Sequence, residues 1–208
     1  LIAEDTGLST YEVDRVLRDY LGEEATSLQI TGKRVDASRD PRVLDLVAEY
    51  CHSIAWSGNA FYTRQMAVQR DYLESRASLR QIRQLGLGVA PNRLVREQSL
   101  ASFLERKGHA RLLEDATHIL ERMACRVVIP VRDESGHVVS LCSRSITGAD
   151  KNRYINEGAK GQVLVGMDVA RDAIRRDGLA VVVEGPFDMS TVRELGSLCL
   201  DRVLENGK

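Results

Sequence analysis

Two carboxylates near the end of the 208-residue sequence, Glu184 and Asp188, have the spacing richest in chemistry. They follow the apolar run Ala180-Val181-Val182-Val183 and bracket a Gly185-Pro186 break, after which Met189, Val192 and Leu195 recur at helical spacing. A β-branched run without polar alternation reads as a strand buried on both faces of a parallel sheet. That puts Glu184 at the carboxyl end of the strand, where open α/β sheets place their chemistry. A carboxylate there holds a divalent cation through hard oxygen contacts, or moves a proton in phosphoryl transfer. The same spacing also describes a solvated acid followed by an acidic helix cap, and the residues alone leave both readings open.

A second group is cationic. Residues 126–131 and 137–144 are β-rich runs joined by Asp133-Glu134-Ser135-Gly136, whose glycine suits the left-handed position of a hairpin loop. Arg126 and Arg144 fall near the ends of these strands, and an arginine fork matches phosphate oxygens. An exposed strand arginine is the plainer alternative. The polar stretch 150–158 follows as a loop, carrying Lys151, Arg153, Tyr154 and Asn156.

The elements that must position these groups are mostly helices. Ser9 and Glu12 form a capping box in a helix-turn-helix-like start whose second helix carries Glu12, Asp14 and Asp19, which disfavours groove reading and favours a structural or docking role. Residues 26–40 read as a short hairpin and linker. From Pro41, Val43, Leu44, Val47, Ala48, Cys51, Ile54 and Ala55 recur at helical spacing, predicting a helix to about Gly58. Further helices are expected over 61–76, from a Ser78 cap to Leu85, over 94–106, over 110–121 and over 169–176, with Gly86-Leu87-Gly88 as a break. Leu198-Cys199-Leu200, ending at Asp201, reads as a second strand.

Net charge is −1, so no global case for nucleic acid exists, but the charge is uneven. Residues 1–63 carry six basic against eleven acidic side chains, and residues 64–111 ten against four. The basic stretch is either a phosphate-contacting surface or a solvated face. Cys51, Cys125, Cys142 and Cys199 are scattered, which gives neither a zinc site nor a disulfide framework and implies a reducing, intracellular setting. His109 and His118 read as surface residues. No run of about 18 apolar residues spans a membrane, and the opening on Leu1 implies a longer natural protein.

Four blocks in order, Leu85-Gly86-Leu87-Gly88-Val89-Ala90-Pro91, the 126–139 hairpin, Arg153-Tyr154-Ile155-Asn156 and Val181-Val182-Val183-Glu184-Gly185-Pro186-Phe187-Asp188-Met189, resemble the RNA-polymerase core of bacterial-type (DnaG-type) DNA primases leading into a toprim domain. The resemblance implies an α+β fold: a helical N-terminal region (1–40), a primase core with an antiparallel sheet (41–176) and the opening β-α-β of an α/β toprim domain (177–208). It implies DNA-templated synthesis of short RNA primers in the cytoplasm. Glu184 and Asp188 would be catalytic, with Glu184 on Mg2+ or Mn2+. Arg126, Arg144, Lys151, Arg153, Tyr154 and Asn156 would hold nucleotide and template. The implied partners are a single-stranded DNA template, ribonucleoside triphosphates and a replicative helicase or the remaining primase part. Two departures stand out. Arg153 occupies the family's lysine position, and no Asp-x-Asp pair follows Glu184, so the chain is expected to need further acids and to be inactive alone. The competing readings are a non-catalytic primase-like protein that docks a replication partner, and a toprim nuclease or topoisomerase-like fragment.

Overall fold

The computed structural model describes residues 40–148, 150–158 and 164–205. The helix-turn-helix-like start and nearly all of the 26–40 hairpin and linker lie outside the described residues.

The core is organised around α1 (Arg42–Ala55). All seven apolar positions expected to face inward are buried, and Leu46 and Tyr50 join them, so more than one stripe of the helix is covered. Full burial of such aliphatic side chains is worth about 1.5–3 kcal/mol each. One side of α1 lies against the sheet. There a Cβ on Gly88 would stand 2.6 Å from the Cys51 carbonyl carbon and the His52 nitrogen, a gap that only glycine leaves open. Another side meets the later helices, with the Tyr50 ring tilted on Phe103 at 5.3 Å and its hydroxyl 2.8 Å from Ser99 Oγ.

The helix expected over 61–76 is two helices, α2 (Ala60–Gln65) and α3 (Ala67–Arg76), broken at Met66 with φ −119°. Met66 is 1% exposed, so the break drops its side chain into the core, while the exposed α2 contributes no buried residue. Ser78 caps α4 (Leu79–Leu85), its Oγ accepting from the Gln81 amide at 3.3 Å. Next come β1 (Gly88–Val89), α5 (Arg93–Arg106), a 3-10 turn (Ala110–Leu112) and α6 (Leu113–Arg122).

The sheet is antiparallel, in the order β1-β2-β3-β4, with β2 at Val127–Arg132, β3 at Val138–Arg144 and β4 at Tyr154–Gly158. The expected hairpin is present. Gly136 has φ 85°, and Asp133 Oδ1 accepts from the Ser135 and His137 amides, closing the turn. β1 is two residues long and pairs only with Val127 and Val128, so β2 runs past it through Pro130 to a register shift at Val131–Arg132. Residues 154–158, expected as loop, form the edge strand β4, with Tyr154 opposite Arg144 and Asn156 opposite Cys142. Its polar composition hides it, because an edge strand half in water needs few apolar residues. Ser140 and Ser143 reinforce the pairing by donating to the Glu157 and Ile155 carbonyls.

Two expected elements are corrected. Residues 180–183 form no strand, and Val181 is 66% exposed rather than central and buried. Residues 198–200 lie inside α8 (Pro186–Glu205), not in a second strand. The β-α-β opening is therefore absent from the described residues. A strand exists only by pairing its backbone with a neighbour, and no described segment offers 180–183 one. Between the sheet and this region lies α7 (Met167–Asp177). The first turns of α8 return to the core: Phe187 is 3% exposed, and Ser78 and Gln81 donate to Glu194 Oε2.

Candidate nucleotide and template site

The arginines diverge in role. Arg126 precedes β2 and is 7% exposed. Its Nη1 donates to the carbonyls of Asn152 (3.0 Å) and Arg153 (3.3 Å), and its Nη2 lies 3.1 Å from Asp150 Oδ2. The guanidinium thus organises the 150–153 loop from beneath. Ser145 adds a backbone bond to the Arg153 carbonyl at 2.8 Å. Held this way, the loop turns Lys151 and Arg153 into solvent, and neither forms an ion pair among the described residues.

Arg144 ends β3 half-buried. Its Nη1 donates to the Tyr154 hydroxyl at 2.9 Å, and its guanidinium carbon lies 5.4 Å from the Tyr154 and Tyr72 ring centres and 5.9 Å from that of Phe187. Tyr72 and Phe187 meet edge to face at 5.7 Å, and Arg76 stands 5.7 Å from Phe187 on its own account. Tyr154 and Asn156 share one face of β4 by the two-residue repeat, and Asn156 is exposed.

Pro186 opens α8, and Asp188 sits in its first turn, where an acid is favoured by the helix dipole. Asp188 Oδ2 lies 3.2 Å from where a Gly185 Cβ would stand, so the carboxylate folds back over the turn. Glu184 and Asp188 are both exposed, and neither forms an ion pair among the described residues. The capping role open to Asp188 and a binding role are compatible. Phe187, between the two acids, brings this turn against the end of β3.

Beside Glu184 is a cleft of about 280 Å³ between α7, residues 179–185 and α8. Its walls are mostly aliphatic, including Val165, Ile174, Leu179, Val182 and Val192, and Arg126, Arg144 and Arg153 are not among them. It suits apolar packing rather than a polyanion.

Much of the charge excess over 64–111 is paired. Arg70 meets Glu74, Arg93 meets Glu97, the buried Arg96 meets Glu121 at 2.9 Å, Lys107 meets Glu49 and Arg111 meets Asp40. His118 is exposed and His109 half-buried. Among the described residues no three or more His, Cys, Asp or Glu side chains gather as a metal cluster, and no helix is long and apolar enough to cross a membrane. Two open carboxylates nonetheless offer hard oxygen donors of the kind that hold a divalent cation together with substrate phosphates.

In the sequence Arg76 is only one of the ten basic side chains of the 64–111 stretch, and Tyr72 and Phe187 carry no signal of a site: Tyr72 is one more apolar position of the helix expected over 61–76, and Phe187 lies within the 181–189 block. Their meeting depends on α3, β3 and α8 converging, which no local pattern encodes.

A helical module carrying a small antiparallel sheet, with cations at strand ends and on the adjoining loop, defines an α+β domain. The chain belongs to the family of the DNA primase catalytic core, N-terminal domain, whose model matches residues 56–167. That span holds every cationic candidate, while Glu184 and Asp188 fall after it. The chain is 33% identical over 148 residues to a DNA primase of Synechococcus elongatus, covering 62% of this chain and 21% of the relative. It is 29% identical over 177 residues to a DNA primase of Aquifex aeolicus, covering 76% and 33%. It therefore spans a third or less of these relatives' length. Among solved structures, the RNA polymerase domain of the Mycobacterium tuberculosis primase DnaG, in complex with a double-stranded DNA oligomer bearing a 6-nucleotide overhang, superposes with TM-score 0.54 at 25% identity, over 76% of this chain and 52% of that one.

Proposed function

We propose that this chain is the template- and nucleotide-holding part of a DNA primase, an enzyme that synthesises short RNA primers on a single-stranded DNA template from ribonucleoside triphosphates. The observation that carries the reading is the family match over 56–167, which contains the whole cationic set. Lys151 and Arg153 reach phosphates from the loop that Arg126 shapes. Arg144 orients Tyr154, and Asn156 extends the same face. Cations gathered on one loop and one strand end favour a bound polyanion, so positioning and electrostatics rather than covalent catalysis supply the rate.

Glu184, with Asp188 beside it, would be a donor to Mg2+ or Mn2+, which supplies charge neutralisation at the phosphates. The further acids come from outside the described residues. The exposed Leu179, Val181 and Leu195 are apolar side chains that the part bearing those acids would cover. A cytoplasmic setting and a replicative helicase as partner accompany the reading.

The test is a titration of labelled single-stranded DNA with the whole chain across a salt series. Weak, salt-sensitive binding is expected. The Lys151→Ala, Arg153→Ala double variant should flatten the slope of log K against log salt by about 0.7 per phosphate contact removed. A slope unchanged in the double variant would sink the assignment of the loop. Robust primer synthesis by the chain alone would sink the requirement for further acids.

A further inference from the structure

Arg144 is enclosed by three aromatic rings drawn from three elements: Tyr72 of α3, Tyr154 of β4 and Phe187 of α8. Ring faces attract a guanidinium electrostatically and limit the rotamers it can take. Tyr154 is already bonded to Arg144 and belongs to the proposed site, whereas Tyr72 and Phe187 have no part in it so far. Phe187 holds a particular place, three residues after Glu184 and one before Asp188, with its ring 3% exposed between Arg144, Arg76 and Tyr72. A side chain so placed ties the acidic turn to the arginine at the end of β3.

We infer that Phe187 and Tyr72 are positioning residues for the nucleotide site: their rings hold the Arg144 guanidinium, and Phe187 thereby sets the Glu184–Asp188 turn against it. This rests on the reading of Arg144 as a nucleotide-orienting group. If the rings act only as core filling, any side chain of similar volume serves. If they position the arginine, an aromatic face is required. Leucine at either position removes the ring face while keeping an apolar side chain, and the Arg144 resonance read together with GTP affinity, rather than stability, separates the two cases. Tyr72→Phe is the conservative partner, since the Tyr72 hydroxyl is buried without a hydrogen-bond partner among the described residues and its removal costs little.

The experiment uses the whole chain labelled with 15N, the Arg144 Nε–Hε resonance being assigned by its disappearance in Arg144→Lys, with GTP and Mg2+ as the probe. Phe187→Leu and Tyr72→Leu should each move that resonance out of its ring-shifted position and weaken GTP binding about tenfold, the order of one charge-assisted hydrogen bond lost. Tyr72→Phe should retain both the resonance and the affinity. A resonance that stays put in Phe187→Leu overturns the aromatic cage. A displaced resonance with GTP affinity unchanged overturns the positioning role while leaving the function intact. Failure of the unaltered chain to bind GTP overturns the nucleotide reading and this inference with it, and the resonance still reports whether the rings enclose Arg144.

Discussion

Val127, Val128 and Ile129 in β2 are at most 2% exposed, whereas Val181, from an equally β-branched run, is 66% exposed. Both stretches promise strands by composition. β2 has α1 across its face, β3 along the whole of one edge and β1 along the start of the other, so most of its backbone polar groups are met and its side chains sheltered. The 180–183 run has α7 and α8 nearby and no strand beside it among the described residues. Burial thus follows from pairing rather than from hydrophobicity: an apolar run becomes a strand only where another backbone meets its polar groups.

The sharpest way to break this contrast is to truncate one residue from each run. Ile129→Ala should cost about 2–5 kcal/mol through the cavity it leaves, while Val181→Ala should stay within about 0.5 kcal/mol, as exposed substitutions do. Urea unfolding of both variants decides it, and equal losses would mean that 180–183 is packed like β2.

The second test sets two arginines of the cationic region against each other. Arg126→Ala removes the bonds that shape the 150–153 loop and should cost about 1.5–3 kcal/mol, with faster amide exchange around Ser145. Arg153→Ala should leave the unfolding midpoint nearly unchanged and weaken single-stranded DNA binding instead. Stability loss from Arg153→Ala with none from Arg126→Ala would reverse the division of labour described for them.

The smallest effect concerns Asp168, in the first turn of α7 on the less sheltered side. Burial raises its pKa, with Arg132 and Arg193 pulling the other way. A raised folded value means that the native state holds the proton more tightly than the unfolded chain. This stabilising contribution is therefore complete below the ordinary carboxylate range and fades as pH rises through the folded pKa. Relative to Asp168→Asn, the parent should lose stability as pH rises above about 4, measured as urea midpoints against pH. A relative gain over that range would show the carboxylate to be favourably solvated or paired.

Much of this architecture was legible in the residues. α1 announced itself through seven apolar positions at helical spacing, and the 126–144 hairpin through two β-rich runs and Gly136. β4 was not, because its outer face is polar and its partner is set by the register of β3. The strand expected at 180–183 failed for the complementary reason, since its composition was right and its neighbour lay elsewhere. In the candidate site, the exposed Lys151 and Arg153 were readable as loop cations. The burial of Arg126 was not, since nothing in the sequence tells a guanidinium that grips its own loop from one that faces a ligand. The ring cluster on Arg144 was equally hidden, because its members lie on three separate elements.

The short β1 leaves four of the six residues of β2 without a strand on that side among the described residues, an arrangement that elsewhere invites intermolecular stacking of sheets. Pro130 has no amide hydrogen to lend to a stray chain, and the slip in register at Val131–Arg132 bends the ladder where a template would have to be straight. The sheet is thereby protected against aggregation along its own margin, and the two-residue β1 can stay short without exposing the protein to that hazard.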